Sequence, residues 1–148
     1  MSTPTPPRYL LDTNVLVAYS REGPLSEWME ATYHLRDLPT VPIISIVTEG
    51  ELRSLSLQLG WGDRKKRRLE ELIGRFVPVP LEFPGLIRAY AEIDCFSVKS
   101  GRSMGKNDVW IAATAHVAGT PLLTTDKDFD HLDPLFLTRH YIDPATHI

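Results

Sequence analysis

The chain has 148 residues, of which 43% are hydrophobic, and a formal net charge of −3. This length supports one ordinary hydrophobic core and is short for two comfortable domains. No apolar run approaches the roughly 20 residues that cross a bilayer, and the N-terminus lacks the basic start and apolar stretch of a secretion signal. We therefore expect a soluble, cytoplasmic protein with one domain over residues 8–148 and a disordered leader over residues 1–7.

Strand-like and helix-like patterns alternate along the chain. In chain order we predict a strand (8–12), helices (13–20 and 24–38), a strand (41–44), helices (45–59 and 63–76), a strand (77–80), helices (84–98 and 109–118), a strand (121–124) and a weak strand (135–141). Asn107 is the predicted cap and Gly119 the predicted end of the last helix. Because parallel strands need crossover helices, this order predicts an α/β fold, a three-layer α/β/α arrangement with a mostly parallel central sheet.

Four carboxylates stand where predicted strands or helices meet polar boundaries: Asp12, Glu51, Asp108 and Asp126. Asp12 and Asp126 lie at the carboxyl ends of two predicted strands, and ligands of open parallel sheets bind beyond these ends. The other two lie in the helix after the second strand and in the helix before the fourth strand. We therefore expect all four side chains to reach one crevice.

Clustered carboxylates suit hard cations, because Mg²⁺ and Mn²⁺ prefer oxygen ligands and keep several waters. Bound cations would offset the negative charge of a phosphodiester and activate a water for its hydrolysis. Without metal the four anions would repel one another, raising at least one pKa and lowering the stability of the protein. The residues alone therefore predict a metal-dependent phosphodiesterase.

Four motifs follow one another along the chain: Leu-Leu-Asp12-Thr13-Asn14-Val-Leu, Ile-Ser45-Ile-Val-Thr48-Glu-Gly-Glu51-Leu, Asn107-Asp108-Val-Trp-Ile-Ala-Ala-Thr-Ala and Leu-Leu-Thr124-Thr125-Asp126-Lys-Asp128-Phe. In this order and at this spacing the chain resembles the PIN domain, the ribonuclease fold of the VapC toxins of bacterial toxin–antitoxin pairs. The resemblance covers nearly the whole chain.

The resemblance implies that the four carboxylates are both the catalytic residues and the ligands of Mg²⁺ or Mn²⁺. It further implies that Asn14, Thr125 and Asp128 are supporting polar groups near them. The expected activity is endonucleolytic cleavage of single-stranded or looped RNA, and the expected partners are a cognate antitoxin protein and a second copy of the chain.

Glu49 is a second acid two residues before Glu51. Residues two apart on a helix do not share a face, so only one of these acids should enter the site. We choose Glu51 because it precedes Leu52, as in the family pattern.

Basic residues lie near the predicted crevice and away from it. Arg102 and Lys106 precede Asp108 and should lie at the rim, where a cation could orient an RNA phosphate, although an ordinary polar loop is equally consistent with them. The run 64–68 could contact phosphates or an acidic partner segment. We expect a solvated helix face there, with Glu70 and Glu71 neutralising Lys66 and Arg67.

Cysteine and aromatic residues outside the motifs give further expectations. The single cysteine, Cys95, excludes an intrachain disulfide, and its helix-like surroundings indicate a small buried side chain. Trp28, Tyr33 and Trp61 would be candidates for a dimer interface if they were exposed together.

Simpler and rival explanations of the acids stay open. Asp12 could serve only as a helix cap, Asp108 only as a helix-dipole partner, and Asp126 only as part of a surface turn. A phosphotransferase or phosphatase with an aspartyl nucleophile would want a second Asp where this chain has Asn14. A PIN-like module that binds RNA or protein without significant nuclease activity is the other rival, and the complete set of four acids argues against it.

Overall fold

The computed structural model describes residues 8–36 and 41–147. Its elements in chain order are β1 (Leu10–Leu11), α1 (Thr13–Ser20), α2 (Pro24–Tyr33), β2 (Ile43–Ser45), α3 (Ile46–Gln58), α4 (Asp63–Ile73), β3 (Val77–Val79), α5 (Leu86–Lys99), α6 (Lys106–Ala118), β4 (Leu122–Thr124), a 3-10 helix η1 (Lys127–Leu132), β5 (Arg139–Tyr141) and a last 3-10 helix (Pro144–His147). The predicted leader lies outside the described residues, so its disorder and the extent of the domain stay predictions.

The five strands form one parallel sheet in the order β3-β2-β1-β4-β5. From β1 the chain moves outward to β2 and β3 on one side, and β4 and β5 extend the sheet on the other side. The strand order therefore reverses at β1, and the crevice beyond the carboxyl ends of β1 and β4 is the ligand-binding position of an open α/β sheet. The predicted α/β fold is confirmed.

Successive strand residues point to opposite faces of the sheet, and this alternation builds two cores. Leu10, Ile43 and Leu122 pack on one face with the buried side chains of α5 and α6. Leu11, Ile44 and Leu123 pack on the other face with the buried side chains of α1, α3 and α4. The sheet is thus the middle of three layers, as predicted.

Several predicted boundaries were wrong by a few residues. His34 adopts a left-handed conformation with φ 52°, which ends α2 at Tyr33, whereas the prediction continued the helix to residue 38. Residues 37 and 38 of that prediction lie outside the described residues. Gly105, and not Asn107, is the N-cap of α6, because the helix starts at Lys106 and includes Asn107 in its first turn. Gly119 ends α6 as predicted, with φ 64°.

The expectation for Cys95 was also wrong, because this side chain is exposed. The buried positions of α5 are Leu86, Ala89, Ile93 and Ser97, which recur every three or four residues. Cys95 lies off this stripe, so the helix turns it toward solvent. Within residues 8–36 and 41–147, none of the helices combines the length and the apolar character that crossing a membrane requires.

Candidate active site

Asp12 ties the central strand of the sheet to its neighbour. It follows β1 and is only 3% exposed. Its Oδ1 accepts a hydrogen bond of 2.7 Å from the Thr13 backbone N–H, which makes Asp12 the N-cap of α1, and its Oδ2 accepts one of 2.8 Å from the Thr124 hydroxyl. Capping is therefore real but engages one oxygen, while the other faces a buried threonine at the end of β4.

Three further carboxylates form an acidic trio, which we define as Asp108, Asp126 and Asp128. One oxygen from each lies within 4.8 Å of the others. The first acid stands in the first turn of α6, and the other two flank the start of η1 after β4. Asp126 accepts a hydrogen bond of 2.9 Å from the Asp128 backbone N–H, which fixes the turn that presents both side chains. Asp128, expected only as a supporting group, is thus a full member of the trio.

Glu51 reaches this region from α3, whereas Glu49 does not. The Glu51 carboxylate accepts a hydrogen bond of 2.8 Å from the Thr13 hydroxyl, which also lies 3.1 Å from the hydroxyl of buried Thr48. Glu49 instead forms an ion pair of 3.5 Å with Arg53 on the outer side of the helix. The two acids therefore face different surroundings, as expected for residues two apart on a helix.

The electrostatics couple these acids into one site. Burial, followed by the negative charges of Asp12, Asp126, Glu51 and Asp128, raises the pKa of Asp108 to about 7. Burial raises the pKa of Asp12 to about 6, against the hydrogen bonds from Thr124 and Thr13 and with further help from Asp126 and Glu51. Among the ion pairs of the described residues, none involves any of these five acids. Their repulsion is therefore left for an external cation to offset.

A cleft of about 480 Å³ adjoins the site along α3. Glu51 lines it together with Gly50, Ser54, Gln58 and Asn107. No atom lies within 4 Å of the point where a Cβ of Gly50 would stand, so the helix surface is open beside the acid. The cleft provides room for a bound chain next to the carboxylates.

The supporting threonine of the site was missed in the sequence. Thr125 is half-buried and Asn14 is exposed, and neither forms a hydrogen bond to the acids within the described ranges. Thr124 does, because its hydroxyl donates to Asp12 and accepts 3.0 Å from the Asp126 backbone N–H. The available signal was the strand alternation: Thr124 is the last residue of β4, and it is fully buried.

The basic residues near the site are placed differently from one another. Lys106 is the first residue of α6, and its ammonium lies 3.6 Å from the Asp94 carboxylate of α5. Arg102 is exposed in the loop between α5 and α6, and its positive charge adds to burial in lowering the pKa of His131.

The predicted neutralisation of the basic run was wrong. The Glu70 side chain reaches from α4 to α3, where it forms a bidentate ion pair with Arg53. In the part of the chain that the structure describes, Lys66 and Arg67 form no ion pair with Glu70 or Glu71. Arg53 offers Glu70 a planar guanidinium with two parallel donors, which is a better partner for a carboxylate than Lys66, one turn away on α4. The run stays positively charged.

Comparison with known proteins identifies the family. The model of the PIN domain family, described as "PIN domain", matches residues 9–135. This chain belongs to the PIN domain family. Ribonuclease VapC5 of Mycobacterium tuberculosis (strain ATCC 25618 / H37Rv) is 32% identical over 135 residues, which are 90% of this chain and 93% of that protein. Ribonuclease VapC4 of the same organism is 37% identical over 92 residues, 58% of this chain and 67% of the relative.

Solved structures share the PIN fold. VapBC2 from Rickettsia felis, bound to a DNA fragment from its promoter, has a TM-score of 0.77 at 21% identity and covers 91% of this chain and 98% of its own. VapBC-1 from nontypeable Haemophilus influenzae has a TM-score of 0.72 at 24% identity, and the match covers 90% of this chain and 96% of the other. At these identities the likeness supports the fold, and the PIN resemblance seen in the sequence is confirmed by the family match.

The raised pKa values predict a metal-free protein that loses stability as the pH rises. Above the unfolded pKa near 3.8, the folded state holds protons on Asp12 and Asp108 that the unfolded state has released. Stability therefore falls between about pH 4 and about pH 7. In chelator, Asp108→Asn should raise the Tm at about pH 7.5 by about 2–4 °C, and this gain should vanish toward pH 4.

Thermal unfolding followed by circular dichroism across this pH range measures the effect. Glu82→Gln removes an exposed acid outside the site and serves as the control, with no gain in Tm expected. A gain for Asp108→Asn that is equally large at pH 4 and at neutral pH would contradict the electrostatic coupling.

Proposed function

We propose that this protein is a metal-dependent endoribonuclease that hydrolyses RNA phosphodiester bonds, and that it acts as the toxin of a type II toxin–antitoxin pair. The observation that carries the proposal is the acidic trio beside buried Asp12 and Glu51. The ribonuclease names of its relatives support RNA as the substrate class. An RNA-cleaving toxin acts where cellular RNA is, so we also propose a cytoplasmic location.

The donor set fits Mg²⁺ or Mn²⁺. The candidate ligand atoms of the trio are all carboxylate oxygens, with no sulfur or imidazole among them. Their negative charges suit a hard cation. The trio would hold a cation directly, and Asp12 and Glu51 would complete its surroundings. When bound, such a cation offsets phosphate charge and activates a water.

Neighbouring polar groups orient the carboxylates for this task. Thr124 fixes one oxygen of Asp12 from the end of β4, and Thr13 fixes Glu51 from the first turn of α1. Because both threonines lie in or directly after short buried strands, the acids keep their positions without a long flexible loop. The remaining carboxylate oxygens stay available for a cation and for positioning a water against a phosphate.

The hydrogen bonds of Asp12 argue against a phosphotransferase or phosphatase in which this side chain is the nucleophile. Both of its oxygens are hydrogen-bonded, one to the Thr13 N–H and one to Thr124, and the side chain is almost fully buried. A carboxylate that must attack phosphorus needs an oxygen free and accessible. Asn14, where a phosphotransferase would want a second Asp, is exposed. Hydrolysis by a water is therefore the better-supported chemistry.

Removal of one site charge should abolish cleavage without unfolding the protein. We expect Asp12→Asn and Glu51→Gln to lower the cleavage rate by about 100-fold or more, because each weakens the cation site at unchanged volume. Glu49→Gln is the matched control on the same helix, and it should keep wild-type activity because Glu49 faces Arg53. Cleavage of structured RNAs in Mg²⁺ or Mn²⁺ against chelator measures the effect.

Metal should also stabilise the wild-type fold by linkage, by about 2.7 kcal/mol at a hundredfold excess over Kd. Thermal unfolding with and without Mn²⁺ reports this independently of RNA. Full cleavage by folded Asp12→Asn would contradict the nuclease assignment, and equal loss in Glu49→Gln would remove the distinction between the two glutamates.

Arg102 and Lys106 are the proposed RNA contacts at the rim. Lys106 is partly engaged by Asp94, whereas Arg102 has no ion pair with any described residue. Arg102 is therefore the stronger candidate for a phosphate contact, because a guanidinium can hold two phosphate oxygens at once.

Arg102→Gln should raise the KM for RNA and leave kcat nearly unchanged. It should also reduce the slope of log affinity against log salt by about 1, the loss of one phosphate contact. Binding titrations at several salt concentrations measure this slope. Lys99→Gln, an exposed cation at the end of α5, is the control. An unchanged slope for Arg102→Gln would place the RNA path elsewhere.

The antitoxin partner is supported by the VapBC complexes among the structural neighbours. We propose that it binds the leucine groove, which we define as the groove of about 590 Å³ bordered by α1, α3 and α4. Its floor is apolar, with Leu16, Leu52, Leu55, Leu69 and Leu72. An apolar floor is suited to the side chains of an amphipathic protein segment and not to an RNA backbone.

The rim of the leucine groove selects the charge of that segment. Among the residues that the structure describes, five cations line the groove, namely Arg21, Arg36, Lys65, Arg68 and Arg75, against two acids, Glu22 and Glu71. Lys65 lies 4.0 Å above the Trp61 ring, and Arg68 is 3.8 Å from Glu22. An acidic amphipathic helix is the complementary occupant, since complementary charge speeds association and like charge opposes it.

The basic run offers a matched pair of double variants for this surface. Lys65→Glu with Arg68→Glu reverses two rim charges and should weaken binding of the antitoxin encoded beside this chain by about tenfold or more. Arg64→Glu with Arg67→Glu makes the same change in charge on the same helix outside the groove and should weaken it far less. Surface plasmon resonance gives the association and dissociation rates of the antitoxin for each variant. Equal losses would indicate a general field effect, and loss of RNA binding alone would assign the run to RNA.

The homodimer stays a prediction with a changed interface. Trp28, Tyr33 and Trp61 are partly buried against the core of α1, α3 and α4, and Tyr33 packs edge-on to Trp28 and Tyr9, so they do not form one exposed patch. Exposed apolar side chains are found instead on α3 and α5, with Leu57 at 70%, Ile87 at 67% and Val98 at 69%. These are the surfaces that a second copy would cover.

A further inference from the structure

Ser97 and His131 form a contact that the proposed reaction does not explain. Ser97 lies on the buried stripe of α5 and is 2% exposed. Its Oγ is 2.8 Å from Nε2 of His131, which belongs to η1, and 3.3 Å from the sulfur of Met104. A buried hydroxyl costs stability unless it is hydrogen-bonded, so the serine is held at this position by its partner in η1.

The ring of His131 joins α5 to the turn that carries the acids. His131 lies in η1 three residues after Asp128, and η1 begins directly after Asp126. A hydrogen bond between Ser97 Oγ and His131 Nε2 forms with either tautomer of the ring, because a hydroxyl both donates and accepts. Phe96 lies parallel to the ring at 6.1 Å and an interplanar angle of 3°.

These contacts form one chain from α5 to the acidic trio. Ser97 is hydrogen-bonded to His131 in η1, and in the first turn of the same helix the Asp128 N–H donates to the Asp126 carboxylate. The contact with Ser97 therefore fixes η1, which carries Asp128, against α5. Without this chain, repulsion inside the trio would favour a turn that moves Asp128 away into solvent, where it is already largely exposed.

The geometry points to Ser97 and His131 as positioning residues that hold η1 against α5, so that the Asp126 and Asp128 carboxylates face Asp108 before a cation binds. This inference rests on the proposed function, since it concerns the same acidic site. Its general basis is that groups behind the metal ligands fix ligand orientation, and their loss costs about 10–100-fold in metal affinity.

The test is the Mn²⁺ affinity of RNA-free protein, measured by titration calorimetry and by loss of the free Mn²⁺ signal in electron paramagnetic resonance. Ser97→Ala and His131→Phe should each weaken Mn²⁺ binding by about tenfold. The phenylalanine keeps a ring that can stack on Phe96 but cannot form a hydrogen bond with Ser97. His131→Gln keeps a polar group that can reach Ser97 and should restore part of the affinity, a rescue that a purely structural role would not produce.

Ser56→Ala is the matched control for Ser97→Ala. Ser56 is also a buried helical serine, 5% exposed, but its hydroxyl donates to the Arg53 carbonyl inside α3. It should lower the Tm by a similar amount without changing Mn²⁺ affinity. If His131→Phe does not fold, Ser97→Ala with its control still decides the question.

The outcomes separate this inference from the proposed function. Folded Ser97→Ala and His131→Phe that bind Mn²⁺ within about twofold of wild type would overturn the positioning role while leaving the nuclease intact. Wild-type protein that binds Mn²⁺ but does not cleave RNA would overturn the nuclease and leave the positioning role standing. Wild-type protein that binds no Mn²⁺ would overturn both.

Discussion

Burial of mutually repelling carboxylates around the ends of β1 and β4 is the constraint on which the site depends. Burial, with a smaller contribution from the neighbouring acids, raises the pKa of Asp12 to about 6 and that of Asp108 to about 7. No described cation compensates these charges, so the folded protein keeps an arrangement that costs free energy at neutral pH. Such a cost is typical of a site that becomes favourable only with a bound cation.

The short strands hold the acids in this unfavourable arrangement because the strands are buried on both faces of the sheet. β1 has only two residues, yet Leu10 and Leu11 are fully buried and belong to opposite cores. The Asp12 N–H donates to the Leu123 carbonyl at 3.0 Å, and the Thr124 hydroxyl joins the Asp12 side chain to the Asp126 backbone. The sheet thus fixes the acid at its edge through the same hydrogen bonds that pair β1 with β4.

Much of the fold was predictable because each element has a local signal. Alternating hydrophobic segments gave the strand and helix order, and the motif around Asp12 gave the crevice. The order of the strands around β1 was not predicted, because the alternation of strands and helices indicates parallel pairing and not which strands are neighbours. Helix ends were less predictable, because Gly105 and His34 act through backbone conformation that sequence periodicity does not encode.

The polar contacts behind the acids were the part that sequence could not provide. Thr124 and Thr125 are adjacent and chemically identical, and only the burial of the strand end separates them. Ser97 and His131 are 34 residues apart, and neither belongs to a motif. Pairings of this kind depend on how α5 packs against η1, and that packing is a property of the whole core.

The helix α3 brings the two proposed functions together. Its residue Leu55 lines both the leucine groove and the cleft beside Glu51. Leu52 faces the groove one residue after Glu51 faces the site, so the two surfaces lie on adjacent faces of one helix. A protein segment bound in the groove would therefore contact the element that presents Glu51, and a short extension of it would enter the cleft beside the proposed catalytic site. Regulation of the site by a partner then needs no large conformational change in the PIN domain, because steric exclusion at α3 is sufficient.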